Sequence, residues 1–313
     1  MNEKKNKIAY YAQDFGALIA LVLLVVGISF VSPQFRTVDN FLSLLRQSSI
    51  NGFIAFGMTF VILTDAIDLS VGSVLALSTV LCAGMITAGV PVGIAMLLAL
   101  GIGALLGLVS GLLVTKGRLQ PFIATLITMT VYRGLTMIFT NGKPISNLGD
   151  SYILKLVGKG SFFGVPIPVI LLIAIFLLFF FLLTKTTFGR RVYATGSNWK
   201  SAKLAGVNIS RTKIIAYVIS GAMAALSGLI LLSRLNSAQP TLGTGYELDA
   251  IAAVALGGTS MSGGRGKIYG TFIGVLIIAV LNNGLNILGV SSYYQDVIKG
   301  IVILVAVLSD RKR

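Results

Sequence analysis

The sequence contains no histidine, a single cysteine and few charged side chains. Without histidine, the chain cannot bind a metal through an HExxH motif, form a Ser-His catalytic pair or relay protons through imidazole. Cys82 lies in an apolar run, so one copy of the chain forms neither a disulfide framework nor a cysteine metal cluster. These absences argue against hydrolytic chemistry, and the sequence predicts no catalytic residue, no metal site and no cofactor.

The scarcity of charge also indicates where the protein resides. Only 11% of the 313 residues are charged, whereas about a quarter are charged in a typical soluble domain. Hydrophobic residues make up 55% of the chain, and the mean hydropathy is +0.91. The formal charge of +15 comes from short basic loops between apolar runs rather than from one exposed basic face. The chain is therefore predicted to be an integral membrane protein, and nucleic-acid binding is not indicated.

Long apolar runs recur along the whole chain. A membrane-spanning helix needs about 20 mostly apolar residues. Nine runs meet this criterion and are predicted to span the membrane: 15–31, 46–64, 70–88, 92–115, 121–139, 167–184, 214–233, 268–288 and 292–309. A tenth run, 248–260, is shorter and leads into a glycine-rich turn, so it is either a short span or a re-entrant segment buried by protein. We expect an all-α polytopic fold of about ten transmembrane helices, with residues 1–313 forming one membrane domain.

The distribution of Lys and Arg favours ten crossings. Short cytoplasmic loops carry an excess of these residues. If 248–260 crosses and the N-terminus is inside, seventeen Lys and Arg lie on the inner side and six on the outer side. If that segment does not cross, the last three residues lie outside, and the excess of Lys and Arg on the inner side becomes smaller. Both termini are therefore predicted to be cytoplasmic.

The glycine-rich run GGTSMSGGRGKIYG resembles a phosphate-binding loop but fails the test for one. A P-loop needs a glycine five residues before its Gly-Lys pair and a Ser or Thr after it. Here Met261 and Ile268 occupy those positions. The run is interpreted as a tight turn, and the chain is not expected to be an ATP-hydrolysing enzyme. Gly103, Gly107 and Gly111 recur at every fourth residue, which predicts close helix packing.

Uncharged polar side chains within the spans are candidates for a translocation pathway. They suit a neutral polyhydroxylated solute better than an ion, because they offer hydrogen bonds without a net charge. Interhelical hydrogen bonding explains them equally well, and Asp68 also suits an N-cap of the next helix. The candidates are the uncharged Gln47, Asn51, Thr59, Asn282 and Asn283, together with the acid Asp68.

Residues 185–213 form a second feature, because they carry seven Lys and Arg and no acid between two apolar spans. On charge alone, this loop either sets topology and contacts anionic lipid or is bound by a partner outside the bilayer. Both interpretations stay open on charge alone. The resemblance described next implies that residues 185–213 are a cytoplasmic coupling loop, through which a permease without its own nucleotide motif receives work mechanically.

Five segments carry a resemblance to a known family: LTDAIDLSVGS, FIATLITMTVYRGLTMIFTNG, GRRVYATGSNWKSAKLAGVNISRTK, SAQPTLGTGYELDAIAAVALGGTSMSGGRGKIYGT and NNGLNILGVSSYYQ. They resemble the permease subunits of bacterial ABC-type importers of monosaccharides such as ribose. The resemblance implies an inner-membrane homodimer, two cytoplasmic ATP-binding-cassette subunits and an extracytoplasmic sugar-binding protein. It also implies that the pathway carries ribose or a related monosaccharide.

The resemblance places the ATPase contact in SNWKSAKLAGVNI. The residues predicted to couple the permease to the ATPase are Asn198, Trp199, Lys200, Ala202, Leu204, Gly206, Val207 and Ile209. Relatives often carry Asn-Glu-Ala-Ala where this chain has Asn198-Trp199-Lys200-Ser201. Gly206 is expected to end a short helix with a left-handed cap.

Two other classes remain as alternatives. A self-sufficient secondary transporter or channel for a small neutral solute would use a membrane acid for ion coupling, and Asp65 and Asp68 are the candidates. A membrane enzyme would need an Asp- or Lys-based site, because the sequence offers no nucleophile paired with a histidine base.

Overall fold

A computed structural model of the chain describes residues 2–310, with side chains described for residues 16–305 and 308. The last three residues, predicted to lie in the cytoplasm, fall outside the described part. Helices dominate. They are α1 (Asn2–Val31), α2 (Val38–Leu63), α3 (Val71–Thr87), α4 (Val92–Thr115), α5 (Pro121–Thr140), α6 (Tyr152–Lys159), α7 (Ile167–Lys185), α8 (Thr187–Ser197), α9 (Trp199–Leu204), α10 (Ile209–Leu235), α11 (Tyr246–Leu256), α12 (Ile268–Ile287) and α13 (Ser292–Asp310).

Each of the ten apolar runs found in the sequence corresponds to a helix, so the all-α polytopic prediction is confirmed. Among the described residues, α4, α5, α7, α10 and α12 are long and apolar enough to cross a membrane by length and composition. The predicted boundaries of α2 were wrong at its start, because the helix begins eight residues earlier than the apolar run. Thr37 caps it by accepting a hydrogen bond of 3.3 Å from the backbone N–H of Asn40.

Two small two-stranded sheets lie between the helices, and only the second is a hairpin. Strand β1 (Ile145–Ser146) pairs antiparallel with β4 (Ser237–Ala238), and β2 (Ser161–Phe162) pairs with β3 (Val165–Pro166). A 3-10 helix, Pro33–Arg36, joins α1 to α2. We call the end of the bundle that holds β1 and β4 the strand end. The opposite end, where α10 begins, is the α9 end.

Helix α10 lies at the centre of the bundle and packs against α2, α3 and α4. Its contact with α4 brings the two backbones together, as the glycine spacing predicted. A Cβ atom added to Gly103 would lie 2.6 Å from the carbonyl oxygen of Gly221, and one added to Gly111 would lie 3.1 Å from Cα of Ile214. Since real Cβ atoms essentially never approach within 3.0 Å, only glycine fits at Gly103, which confirms a packing role for this ridge.

The short segment 248–260 corresponds to α11, which covers only part of a crossing. Eleven residues of helix span about 16 Å. The chain nevertheless passes from one end of the bundle to the other, because β4 lies at the strand end and Gly264 contacts the last turn of α8. An irregular stretch, residues 239–245, provides the rest of the path. The segment is therefore a broken crossing.

Candidate transport site: two broken helices and a coupling loop

The first break separates α2 from α3. Asp65 adopts a left-handed backbone conformation with φ of 57°, and the chain then turns back into the bundle. Asp68 is fully buried, and its Oδ1 atom accepts hydrogen bonds from the backbone N–H of Ser70 (3.0 Å) and from its hydroxyl (2.6 Å). The hydroxyl of Ser220, in the middle of α10, donates to Oδ2 at 2.8 Å. Asp68 thus fixes the start of α3 halfway along α10.

The second break, residues 236–245, precedes α11. The Nη1 atom of Arg133 on α5 donates to the carbonyl oxygens of Pro240 (2.6 Å) and Leu242 (2.9 Å), which satisfies backbone groups that lie outside any helix. This break meets the first one at a glycine contact. A Cβ atom added to Gly243 would lie 2.6 Å from the carbonyl oxygen of Gly72. The N-terminal ends of α3 and α11 therefore lie side by side within the bundle.

A cavity of about 430 Å³ opens where these two helix ends meet α5. Its polar lining comprises Ser73, Thr130, Arg133, Thr241, Thr244 and Glu247. Methionines 129 and 137 supply its apolar surface. None of these residues is among the pathway candidates predicted from the sequence. Glu247 was missed, although an acid next to a glycine-rich interruption of an apolar run is a usable signal.

The predicted coupling loop, residues 185–213, contains two short helices, α8 and α9. Asn198 caps α9, because its side chain accepts a hydrogen bond of 3.0 Å from the backbone N–H of Ser201. At the other end Gly206 has φ of 82°, and its N–H donates to the carbonyl of Lys203. The N–H of Val207 donates to the carbonyl of Ala202, which completes a Schellman cap. The left-handed cap predicted at Gly206 is present.

Some side chains of α9 are buried against the protein, and others are exposed. Ala202 is buried, whereas Trp199 is 52% exposed and Leu204 is 91% exposed. The Lys200 ammonium lies 5.7 Å from the centre of the Trp199 ring. Val207 and Ile209 are partly buried where the loop joins α10. The helix therefore presents one aromatic and one aliphatic side chain outward from the bundle.

Helix α8 ties this loop to the rest of the α9 end. The Tyr193 hydroxyl donates to the carbonyl of Gly266 at 2.9 Å, and burial raises the pKa of this hydroxyl, so it stays protonated and able to donate. Gly196 lies against the hydrogen bond of 3.0 Å from the Gly264 N–H to the Leu63 carbonyl. The residues just before α9 thus touch both the end of α2 and the glycine-rich turn after α11.

The structure separates the predicted pathway residues into different environments. Gln47 is exposed near the strand end of α2. Thr59 is buried, and its hydroxyl shares a hydrogen bond of 2.9 Å with Thr271. The Asn283 amide donates to Asn40 at 2.8 Å, and Asn282, next to it, is partly buried. None of these side chains lines the cavity beside α5.

Asn51 joins a charged cluster on another side of the bundle. Its amide donates to Oδ2 of Asp249 at 3.3 Å. The Lys299 ammonium lies 3.4 Å from the other oxygen of Asp249 and 4.0 Å from Asp296. The closer carboxylate is that of Asp249, although Asp296 lies only three residues before Lys299 on the same helix. This buried acid therefore has a cationic partner within the same protomer.

Broken helices that meet inside a bundle of apolar spans are typical of multi-pass membrane transport proteins. The family model described as "Branched-chain amino acid transport system / permease component" matches residues 40–307, and the chain belongs to this permease family.

Named relatives match almost end to end. The Ribose import permease protein RbsC of Bacillus subtilis (strain 168) is 58% identical over 301 residues, covering 96% of this chain and 94% of that protein. RbsC of Escherichia coli (strain K12) is 50% identical, covering 95% and 93%. The D-allose transport system permease protein AlsC of the same strain is 39% identical, covering 99% and 95%. No solved structure matches the chain.

Proposed function

We propose that this chain is the membrane permease subunit of an ATP-driven importer of ribose or a closely related monosaccharide. The near full-length similarity to relatives named as ribose import permeases supports this substrate. ATP hydrolysis takes place in cytoplasmic ATP-binding-cassette subunits, and a sugar-binding protein delivers the substrate on the outer side. Both termini lie in the cytoplasm, so the α9 end of the bundle faces the ATPase.

The observation that carries this proposal is an exposed helix anchored to a broken crossing. Trp199 and Leu204 project from α9, while Gly196, three residues before the start of α9, touches the Leu63 carbonyl at the break between α2 and α3. A groove on the ATPase that holds these two side chains could pull on the break directly. Residues 185–213 act as the coupling loop, with Asn198 and Gly206 setting the two ends of α9.

A second copy of the chain covers the cavity beside α5 in this proposal. Arg133 and Glu247 are partly buried, and Thr130, Thr241 and Thr244 are exposed on one side of the protomer. Exposing such groups to lipid hydrocarbon is costly, so they must face protein or water. Apolar side chains of α5 nearby, such as Val131 at 50% exposure and Leu135 at 46%, can pack against the partner. A homodimer with a polar path between the protomers satisfies both requirements.

The polar residues singled out from the sequence remain separate candidates for the path. Asn51, Thr59 and Asp68 have partners within the protomer, so a role in transport would require those hydrogen bonds to break during the cycle. The same holds for Asn283. Gln47 is exposed and Asn282 partly buried, and either can be tested by substitution in the assay below.

Reconstitution tests the proposal. The permease in proteoliposomes, with its ATPase subunits and its binding protein, should accumulate radiolabelled ribose only when ATP is supplied to the ATPase side. The permease alone should not accumulate ribose under a proton or sodium gradient. Gradient-driven accumulation by the chain alone would establish the secondary-transporter alternative instead. Asp68, an acid which that alternative would use, already accepts hydrogen bonds from both Ser70 and Ser220.

A further inference from the structure

We propose that the cavity between α3, α5 and α11 binds the monosaccharide during its passage, so that the permease itself recognises the sugar. This inference rests on the proposed function and adds a substrate site within the membrane domain. The cavity of about 430 Å³ falls in the size range of small-molecule sites, roughly 300–1,000 Å³.

A buried hydroxyl without a partner lies at the wall of this cavity. Ser73, in the first turn of α3, is only 1% exposed, and it lines the cavity. Its Oγ atom has no hydrogen-bond partner within the part of the protein that the structure describes. Most serines and threonines in these helices donate to a carbonyl of the preceding turn, as Ser78 does to Leu75. A buried polar atom left without a partner is costly, and a bound hydroxyl group would satisfy it.

The charges of the lining favour a neutral solute. Arg133 supplies one cation and Glu247 one anion, so the lining carries no net formal charge. Guanidinium and carboxylate groups offer donors and acceptors, respectively, and a sugar hydroxyl can bond to either.

Contacts within the protomer hold both groups in place before any ligand arrives. Arg133 is fixed by its bonds to the carbonyls of Pro240 and Leu242. Glu247 lies against Gly72, where a Cβ atom would come 2.7 Å from its Oε2 atom. Methionines 129 and 137 complete the lining with flexible apolar surface that suits the C–H groups of a sugar ring. The site is therefore polar on one side and apolar on the other.

Transport by the reconstituted complex tests the role of Ser73. Ser73→Ala should reduce the initial rate of ATP-driven ribose uptake by roughly three- to tenfold, the usual effect of one lost hydrogen bond. Ser78→Ala is the matched control, because Ser78 is buried in the same helix but bonds to Leu75 and lies outside the lining. Equal uptake by the two variants would contradict the site.

Thiol protection tests binding without relying on transport. In a Cys82→Ala background, Thr130→Cys introduces a thiol on the exposed lining of the cavity. A large excess of ribose should slow its reaction with a small charged thiosulfonate at least threefold. Thr87→Cys, exposed at the far end of α3, should react at the same rate with and without ribose. An unchanged rate at position 130, or equal protection by a non-sugar osmolyte, would overturn the inference.

The two proposals fail in different ways. If the wild-type complex does not accumulate ribose with ATP, the proposed function fails. If the wild type transports ribose, while Ser73→Ala behaves as Ser78→Ala and ribose protects no introduced thiol, only the sugar site fails.

Discussion

Gly196 is the position at which a single methyl group should uncouple ATP hydrolysis from transport. A Cβ atom here would overlap the carbonyl oxygen of Leu63 and lie 2.5 Å from the Gly264 nitrogen. These two atoms form a hydrogen bond with each other at 3.0 Å. The added methyl would therefore push between donor and acceptor, so that Gly196→Ala separates the end of α8 from the α2 break.

The size of the effect follows from these contacts. A backbone hydrogen bond contributes about 0.5–1.5 kcal/mol, and forcing an extra methyl into a filled site costs about 1–3 kcal/mol. We expect the state in which α8, α2 and the glycine-rich turn are joined to lose about 2 kcal/mol or more. Since about 1.4 kcal/mol corresponds to a factor of ten, ribose uptake should fall at least tenfold.

The assay compares Gly196→Ala with a substitution of the same kind elsewhere. Gly101→Ala is the control, because Gly101 lies inside helix α4 with nothing within 4 Å of an added Cβ. Both variants should insert in the membrane and assemble with the ATPase subunits. Binding-protein-dependent uptake should fall only in Gly196→Ala, while the ATPase continues to turn over. Uptake and thermal stability equal to those of Gly101→Ala would refute the reasoning.

Three further predictions address the coupling helix and the buried ion pair. Gly206→Asp should abolish uptake without preventing insertion, because the residue at φ of 82° would be strained by about 1 kcal/mol and would place a carboxylate at the ATPase contact; normal ATP-driven uptake would contradict it. Leu204→Ser should weaken ATPase association in a pull-down but leave the thermal stability of the isolated permease unchanged, since this side chain is 91% exposed. Lys299→Met should destabilise the permease by about 3–5 kcal/mol in thermal unfolding, because it leaves the buried Asp249 carboxylate unpaired. Adding Asp249→Asn should restore most of that loss, and an additive double variant would argue against the pair.

The sequence could predict features that depend on neighbouring residues. The apolar runs located the ten helices, and the position of Gly206 after a short polar helix predicted its left-handed cap. The glycine spacing of α4 likewise predicted close packing, because residues four apart share one face of a helix. All of these depend on local pattern alone.

Contacts between residues far apart in the sequence could not be predicted from local pattern. Asp68 was a plausible cap from its position, but its partner Ser220 lies 152 residues away. The cavity forms because Ser73, after the first break, and Glu247, after the second, line the same space. The sequence around each break does not indicate which other segment the break contacts. The hydrogen bond between Asn51 and Asp249 was equally unpredictable, because the two residues are 198 positions apart and meet only where α11 packs against α2.

Helix α10 runs from the coupling loop to the strand end as one piece of 27 residues, about 40 Å long. At its far end the Ser233 hydroxyl donates to the Leu154 carbonyl and accepts from the Gly158 N–H at 2.8 Å, which fastens α6 to it. A partner that binds at either end of the bundle therefore acts on the same continuous helix. In the proposed importer, thermodynamic linkage then requires reciprocity: whatever factor nucleotide binding imposes on the affinity for the sugar-binding protein, that protein must impose on nucleotide affinity in return.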